Sequence, residues 1–283
     1  MFSMRFYNET GSIDFGGGQS GSAWRITNAD GLSFCGRTFE HIRYEGRIGQ
    51  KTTGVSVNAR TVTLSGDVFI SEDFLKMYDK AMTVLEDEGI LEVATGLGVR
   101  KIGARCCDFC CGEKKGNYLL FTVQFLCDDP YFEDADKTEV ALYTKTPFLN
   151  KNFTFPGMFS GRVSRKNIEY IGTRKTEPVF LIGVETGVDG DDLLIIQNHT
   201  TGEKLKFNYG GVRGEYITVD VKNCRIYNQN GENLLKHLAD DSFFDGFHLV
   251  PGDNDIEVTN RNVNTGITVK CTYSNRYSEA VYI

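Results

Sequence analysis

Four thiols fall within six residues at Cys106-Cys107-Asp108-Phe109-Cys110-Cys111, the densest reactive chemistry in the sequence. Thiolates so close together suggest zinc or a metal cluster. A tetrahedral site, however, draws on a Cys-x-x-Cys knuckle plus a second, distant pair. Only Cys35 and Cys127 stand nearby, and each stands singly. On a strand, Cys106 and Cys110 would face one way and Cys107 and Cys111 the other, which splits the set. The expectation is buried or incidental thiols and no metal.

The remaining candidates are weaker. His41, His199, His237 and His248 show neither His-x-x-x-His nor His-Glu-x-x-His spacing. No Gly-x-Ser-x-Gly elbow is present. Asp128-Asp129 could be a carboxylate pair for acid–base work, but Pro130 follows, and Asp-Pro after a strand reads as a turn. Gly16-Gly17-Gly18-Gln19-Ser20-Gly21 lacks the Gly-Lys-Ser/Thr ending of a phosphate cradle and reads as a loop. A cysteine and a histidine joined only by folding would leave no mark in the spacing. No catalytic, cofactor-binding or metal-binding residue is assigned, no cofactor is expected, and the chain is not expected to be an enzyme.

Composition narrows the classes further. A net charge of −7 argues against a general nucleic-acid binder. No apolar run approaches the ~20 residues that span a bilayer, so no membrane role is expected. Met1-Phe2-Ser3-Met4-Arg5-Phe6 carries no apolar h-region, which predicts synthesis and assembly in cytoplasm. The eight cysteines are clustered rather than spread, as free thiols rather than a disulfide framework. Thirty-one glycines against five prolines fit a turn-rich β protein.

The elements that must carry these residues are mostly strands. Met4–Asn8, Trp24–Thr27, Val55–Val57 and Arg60–Leu64 alternate apolar and polar residues, the last ending at Ser65-Gly66-Asp67. One helix is signalled, with Ser71 as cap and Glu72 and Asp73 in its first turn. Phe74, Tyr78, Ala81, Met82 and Leu85 form its apolar stripe, and Gly89 its stop. After the charged turn Glu113–Asn117, Leu119–Cys127 is the strongest strand and is apolar on both faces. Periodicity fades between Glu133 and Ser160, around Pro147 and Pro156, which places a domain boundary near 150.

Beyond Glu177 the pattern is strand, turn, strand. Turn signals recur at Asp189-Gly190, Thr201-Gly202, Gly210-Gly211, Asn230-Gly231 and Pro251-Gly252, the spacing of an all-β sandwich. Leu234–Leu238 is a short helical piece. Phe247 and Leu249 lead into Pro251-Gly252, and Ile256 and Val258 lead out, which predicts a β-hairpin on a type II turn. Asp253 or Asn254 is placed to bond the nearby backbone.

Several motifs occur in a telling order. Residues 60–68 read R-T-V-T-L-S-G-D-V, and a helix and a long strand then run into D-D-P-Y-F at 128–132. Further on come I-I-Q-N-H-T-T-G-E-K-L, E-Y-I-T-V-D, R-I-Y-N-Q-N-G-E-N-L-L and F-F-x-x-F-x-L-x-P-G-D-N-x-I. This series resembles the siphophage distal tail protein family over most of the chain. The resemblance implies a mainly β fold, with an N-terminal β-barrel-like ring domain bearing one α-helix over 1–150 and a galectin-like β-sandwich over 151–283. It also implies an extended belt reaching the neighbouring subunit, for which residues 98–116 are the candidate, although the cysteine cluster there is foreign to the pattern.

The function implied is structural. A self-assembling ring, a hexamer, would join the tail tube to the hub or tail-associated lysin and to receptor-binding or baseplate proteins. The genome DNA would pass through an acidic lumen without specific binding. Such a protein would be made in the bacterial host cytoplasm and reside at the distal end of the virion tail, or in the baseplate of a tailocin. The alternative is a lectin-like module for host cell-wall glycan. Lectins often stack a sugar on tryptophan, and the only one, Trp24, lies in the other domain.

Overall fold

The computed structural model describes residues 2–16, 22–145, 162–185, 193–260 and 266–280. They fall into two compact units, Met1–Ala135 with Tyr277–Ile283, and Asp136–Arg276. Most of the Gly16–Gly21 loop and the stretch around Pro147 and Pro156 lie outside the described residues, as does Asp189-Gly190.

The strands of the first unit are β1 (Ser3–Tyr7), β2 (Ser12–Gly16), β3 (Trp24–Asp30), β4 (Arg37–Ile42), β5 (Lys51–Val57), β6 (Arg60–Phe69), β7 (Gly89–Thr95), β8 (Gly98–Lys115), β9 (Tyr118–Cys127) and β10 (Phe132–Asp134). The helix α1 spans Phe74–Leu85. Seven strands, in the order β8-β7-β1-β2-β3-β6-β9, close into a barrel because β9 pairs again with β8. Alternation explains the interior: Met4 and Phe6 of β1, Leu91 and Val93 of β7, Val62 and Leu64 of β6, and Phe121, Val123 and Phe125 of β9 are all buried. Each such side chain contributes roughly 1.5–3 kcal/mol over leaving it exposed. On β9 the opposite face, Leu120 to Leu126, is half-buried.

β8 is the closing strand. It pairs β7 from Gly98 to Ala104 and β9 from Arg105 to Lys115. At roughly 3.3 Å per residue its length serves both ends of the rolled sheet. Residues 98–116 are therefore a strand built into the barrel wall, with Ile102 and Ala104 in its core, and not a free belt. A barrel strand must pair on both edges, and the sequence pattern had no way to show that these residues close the sheet.

α1 buries Ala81, Val84 and Leu85, with Phe74, Tyr78 and Met82 packed beside them. The cap differs from expectation. Asp73 holds the N-cap position and makes no side-chain cap bond, while Ser71 lies upstream and its carbonyl accepts from the Phe74 N–H at 3.1 Å. Gly89 is not the stop either; the helix ends at Glu86 and Gly89 opens β7. A Cβ at Gly89 would stand 2.5 Å from the Tyr7 carbonyl oxygen, so the glycine serves a close strand approach.

Arg60 seals the first unit. Its side chain is buried, and its hydrogen-bond partners among the described residues are all main-chain carbonyls: Pro130 O at 2.7 Å, Ser33 O at 2.7 Å, Gly31 O and Ser278 O. The guanidinium also lies 4.8 Å from the Phe132 ring centroid. Burial pushes its pKa below the ordinary arginine value. The chain thus returns after the second unit: Tyr277 and Ala280 join the barrel core, and Arg100 sits 3.6 Å over the Tyr277 ring and donates to Glu279 O at 2.6 Å.

The second unit comprises β11 (Thr138–Lys145), β12 (Arg162–Val163), β13 (Arg165–Tyr170), β14 (Val179–Val184), β15 (Leu193–Asn198), β16 (Lys204–Asn208), β17 (Tyr216–Asp220), β18 (Arg225–Asn228), β19 (Gly252–Asn260) and β20 (Ile267–Tyr273), with a 3-10 turn at Leu235–His237. One sheet has the order β12-β11-β20-β14-β17-β18, the other β13-β19-β15-β16. Their inward residues, among them Phe180, Ile196, Val219 and Val258, share one core, which Phe247 of the segment before β19 joins. The unit begins before the boundary expected near 150, because β11 pairs along β20, with Val140 opposite Cys271.

The expected hairpin around Pro251-Gly252 is not one. Gly252 takes the positive φ, +93°, but β19 pairs with β13 and β15 rather than with Phe247–Leu249. Phe247 and Leu249 are fully buried, and Leu249 bridges to Thr176. Asn254 explains the motif. It is fully buried, accepts from the Val250 N–H at 2.9 Å, and donates to Val250 O at 2.7 Å and Gly252 O at 3.1 Å. Asn198, also fully buried, donates to His248 O at 3.0 Å and accepts from the Thr200 N–H at 3.0 Å. Two buried amides thus pair backbone groups of the turns that precede β19 and follow β15.

Candidate assembly surface

The cysteine cluster lies on β8 opposite β9, and the register shifts between Cys106 and Asp108. This bulge breaks the strict alternation. Cys106 and Cys111 turn inward beside Phe109, where burial pushes each thiol up to about 11. Cys107 and Cys110 are the exposed pair. The expected facing, Cys106 with Cys110 and Cys107 with Cys111, is therefore overturned. No group of three or more potential metal ligands occurs among the described residues. All eight thiols are free, and burial pushes Cys127 up to about 12 and Cys271 upward as well. In a native titration at pH 8 with a disulfide reagent, Cys107, Cys110 and Cys224 are expected to react first. Cys35, Cys127 and Cys271 should wait for unfolding, and a chelator should change nothing.

The histidines are scattered. His41 stacks on Phe39 at 6.4 Å, and His237 packs edge-on to Tyr209 at 4.8 Å. His199 Nε2 lies 2.7 Å from Glu257 Oε2, and His248 Nδ1 lies 3.2 Å from Glu203 Oε2. Neither of these last two rings has a serine, threonine or cysteine among its hydrogen-bond partners in the described residues. They tie the turn after β15 to β19 and to the segment preceding it. Asp128 pairs with Arg105 at 2.9 Å, and Asp129 accepts from the Tyr131 N–H at 3.3 Å, an Asx turn. Trp24 is 4% exposed and packs against Phe15, Phe109 and Phe121, so it offers no sugar platform.

The feature that sequence reading largely missed is the hairpin β4–β5. It forms a sheet of its own, with Phe39 opposite Val55 and Arg37 opposite Val57. Apart from half-buried Gly54, every residue of both strands is exposed. Phe39, Val55 and Val57 share one face, and Tyr44 and Ile48 stand at the tip, Ile48 wholly in solvent. A lone two-stranded hairpin is marginal in water. An apolar face without cover signals an interface. Arg37, Arg43, Arg47 and Lys51 outnumber Glu40 and Glu45, so the arm is basic on an acidic chain. Only Val55–Val57 alternates clearly; Phe39 and Ile42 were the available clue to its partner strand.

The comparisons agree with this architecture. Residues 171–277 match the family described as Siphovirus-type tail component, C-terminal domain. No curated protein matches the sequence significantly. The crystal structure of the SPP1 Dit (gp 19.1) protein, described as a paradigm of the hub adsorption apparatus in phages infecting Gram-positive hosts, has a similar fold. Its TM-score is 0.71 at 16% identity, over 97% of this chain and 99% of that one. The phage P2 baseplate in its activated conformation with Ca gives 0.50 at 12% identity, over 96% and 98%. The same baseplate with Sr gives 0.50 at 13%, again over 96% and 98%. The second unit thus carries the match to the siphovirus-type tail component family, and the fold of the chain throughout is similar to that of the SPP1 Dit protein.

Proposed function

We infer that this chain is a non-enzymatic ring subunit at the distal end of a phage or phage-like tail, a hexamer that joins the tail tube to the hub and the receptor-binding parts. It is made in the host cytoplasm and carried in the virion tail. The observation that carries the reading is the β4–β5 hairpin, an arm with an apolar face that no described residue of its own chain covers. This arm, rather than residues 98–116, is the element that reaches the next copy. A donor surface that differs from its acceptor makes a heterologous contact, which closes into a ring when the rotation fits. An acidic lumen would let DNA slide without a binding well, as expected of subunits carrying −7 each.

The hairpin can be tested cleanly because its base is closed: the Asn58 N–H donates to Gly36 O at 3.1 Å. Residues 37–57 are therefore replaceable by two glycines without stretching the barrel. Light scattering and negative-stain imaging of the purified wild-type protein are expected to give rings with a central hole. The shortened variant should be monomeric and as heat-stable as the parent. Rings formed without the arm would overturn its role, and a wild-type chain that never forms rings, alone or on tail tubes, would overturn the assignment.

A further inference from the structure

On the first unit an open groove of about 650 Å³ lies between the β1–β2 turn and the junction of α1 with β7. Tyr7 and Ile90 supply apolar wall, and Glu9, Asp87 and Glu88 supply carboxylates. Glu88 is engaged by Arg105 at 2.8 Å, and Asp87 accepts from Thr10 Oγ1 at 3.1 Å. Glu9 and Asp87 have no cation partner among the described residues. The groove therefore holds net negative charge beside apolar surface, within the roughly 300–1,000 Å³ range that takes a small ligand or a few side chains.

We propose that this groove receives the hairpin tip of a second copy of the chain. The proposal rests on the ring reading and names its acceptor. The tip offers the complementary set: the guanidiniums of Arg43 and Arg47, the half-exposed Tyr44 ring with Arg47 lying 5.8 Å over it, and the fully exposed Ile48. Positive charge meets carboxylates, while Tyr44 and Ile48 meet Tyr7 and Ile90. Six-residue β4 gives the arm a reach of roughly 20 Å, enough to leave its own barrel. Donor and acceptor sit on one unit, so each copy can give one arm and take another.

Charge reversal tests the pairing. One variant carries Arg43→Glu and Arg47→Glu, the other Glu9→Lys and Asp87→Lys. Each alone is expected to associate at least about ten-fold more weakly than wild type by sedimentation. Mixed one to one they should recover ring mass, because each reversed tip then finds a reversed groove and each native tip a native groove. Unchanged melting curves show that both variants fold, and Glu9→Gln with Asp87→Asn, which adds no repulsion, should give an intermediate loss. Wild-type association that fails on tip reversal yet ignores groove reversal, or that the mixture does not restore, overturns the groove alone. A wild type that stays monomeric up to millimolar concentration and forms no ring on tail tubes overturns both the groove and the ring.

Discussion

Arg60→Met is expected to unfold the first unit about 10 °C earlier while leaving the second unit's transition where it was. The methionine keeps volume over Phe132 but donates nothing. Four carbonyls, of Gly31, Ser33, Pro130 and Ser278, lose their partner. Unpaired buried acceptors cost about 1–3 kcal/mol each before relaxation, and water will reach some of them, so a loss of roughly 3–4 kcal/mol is reasonable. In a unit of this size each kcal/mol shifts the midpoint by about 2–4 °C. Arg60→Lys restores the charge but not the fork, and should recover only part of the loss. Differential scanning calorimetry reads both transitions together. Full recovery by lysine would mean that the charge matters and the four-way geometry does not.

Asn254→Asp should have an effect as large, in the other unit. The carboxylate cannot donate to the Val250 and Gly252 carbonyls, and it would be fully buried facing them. A loss of roughly 3–5 kcal/mol follows from burying an uncompensated charge. The sign of its pH dependence is fixed. Burial without a cation raises the folded-state pKa of the new carboxyl above its unfolded value. The penalty is therefore fully present above the folded pKa, and it shrinks as pH falls toward the unfolded pKa of about 4. Urea unfolding at neutral and mildly acidic pH, against wild type, measures it. A variant that narrows no gap on acidification would show that the lost donors, not the charge, set the cost.

These two residues show what was legible in the sequence. The alternation of β6, β9, β14 and β20, the apolar stripe of α1 and the sandwich of the second unit were readable because each is a local pattern with one period. The seven-strand closure was not, since it depends on β8 pairing two distant strands along one length. Asn254 was readable as a backbone-binding turn residue. Its partners were not, because Phe247–Leu249 matched a hairpin pattern just as well as it matches the buried segment it forms. The cysteine facings failed through one inserted residue at the Cys107 bulge, which shifts every side chain beyond it. Arg60 gave no signal at all: an arginine opening a strand looks solvated until the chain's return at Ser278 surrounds it.

That return bears on the order of synthesis. The second unit is spliced into the first between Ala135 and Tyr277, so a ribosome releases all of it after the seven barrel strands but before the segment that completes their packing. Until Tyr277–Ala280 emerge, Arg60 lacks Ser278, and Arg100 lacks its ring and its carbonyl. A nascent chain can therefore complete its second unit while the core of the first still lacks Tyr277 and Ala280. The packing of the barrel that bears the arm is completed last, and a chain broken off within the second unit would lack it.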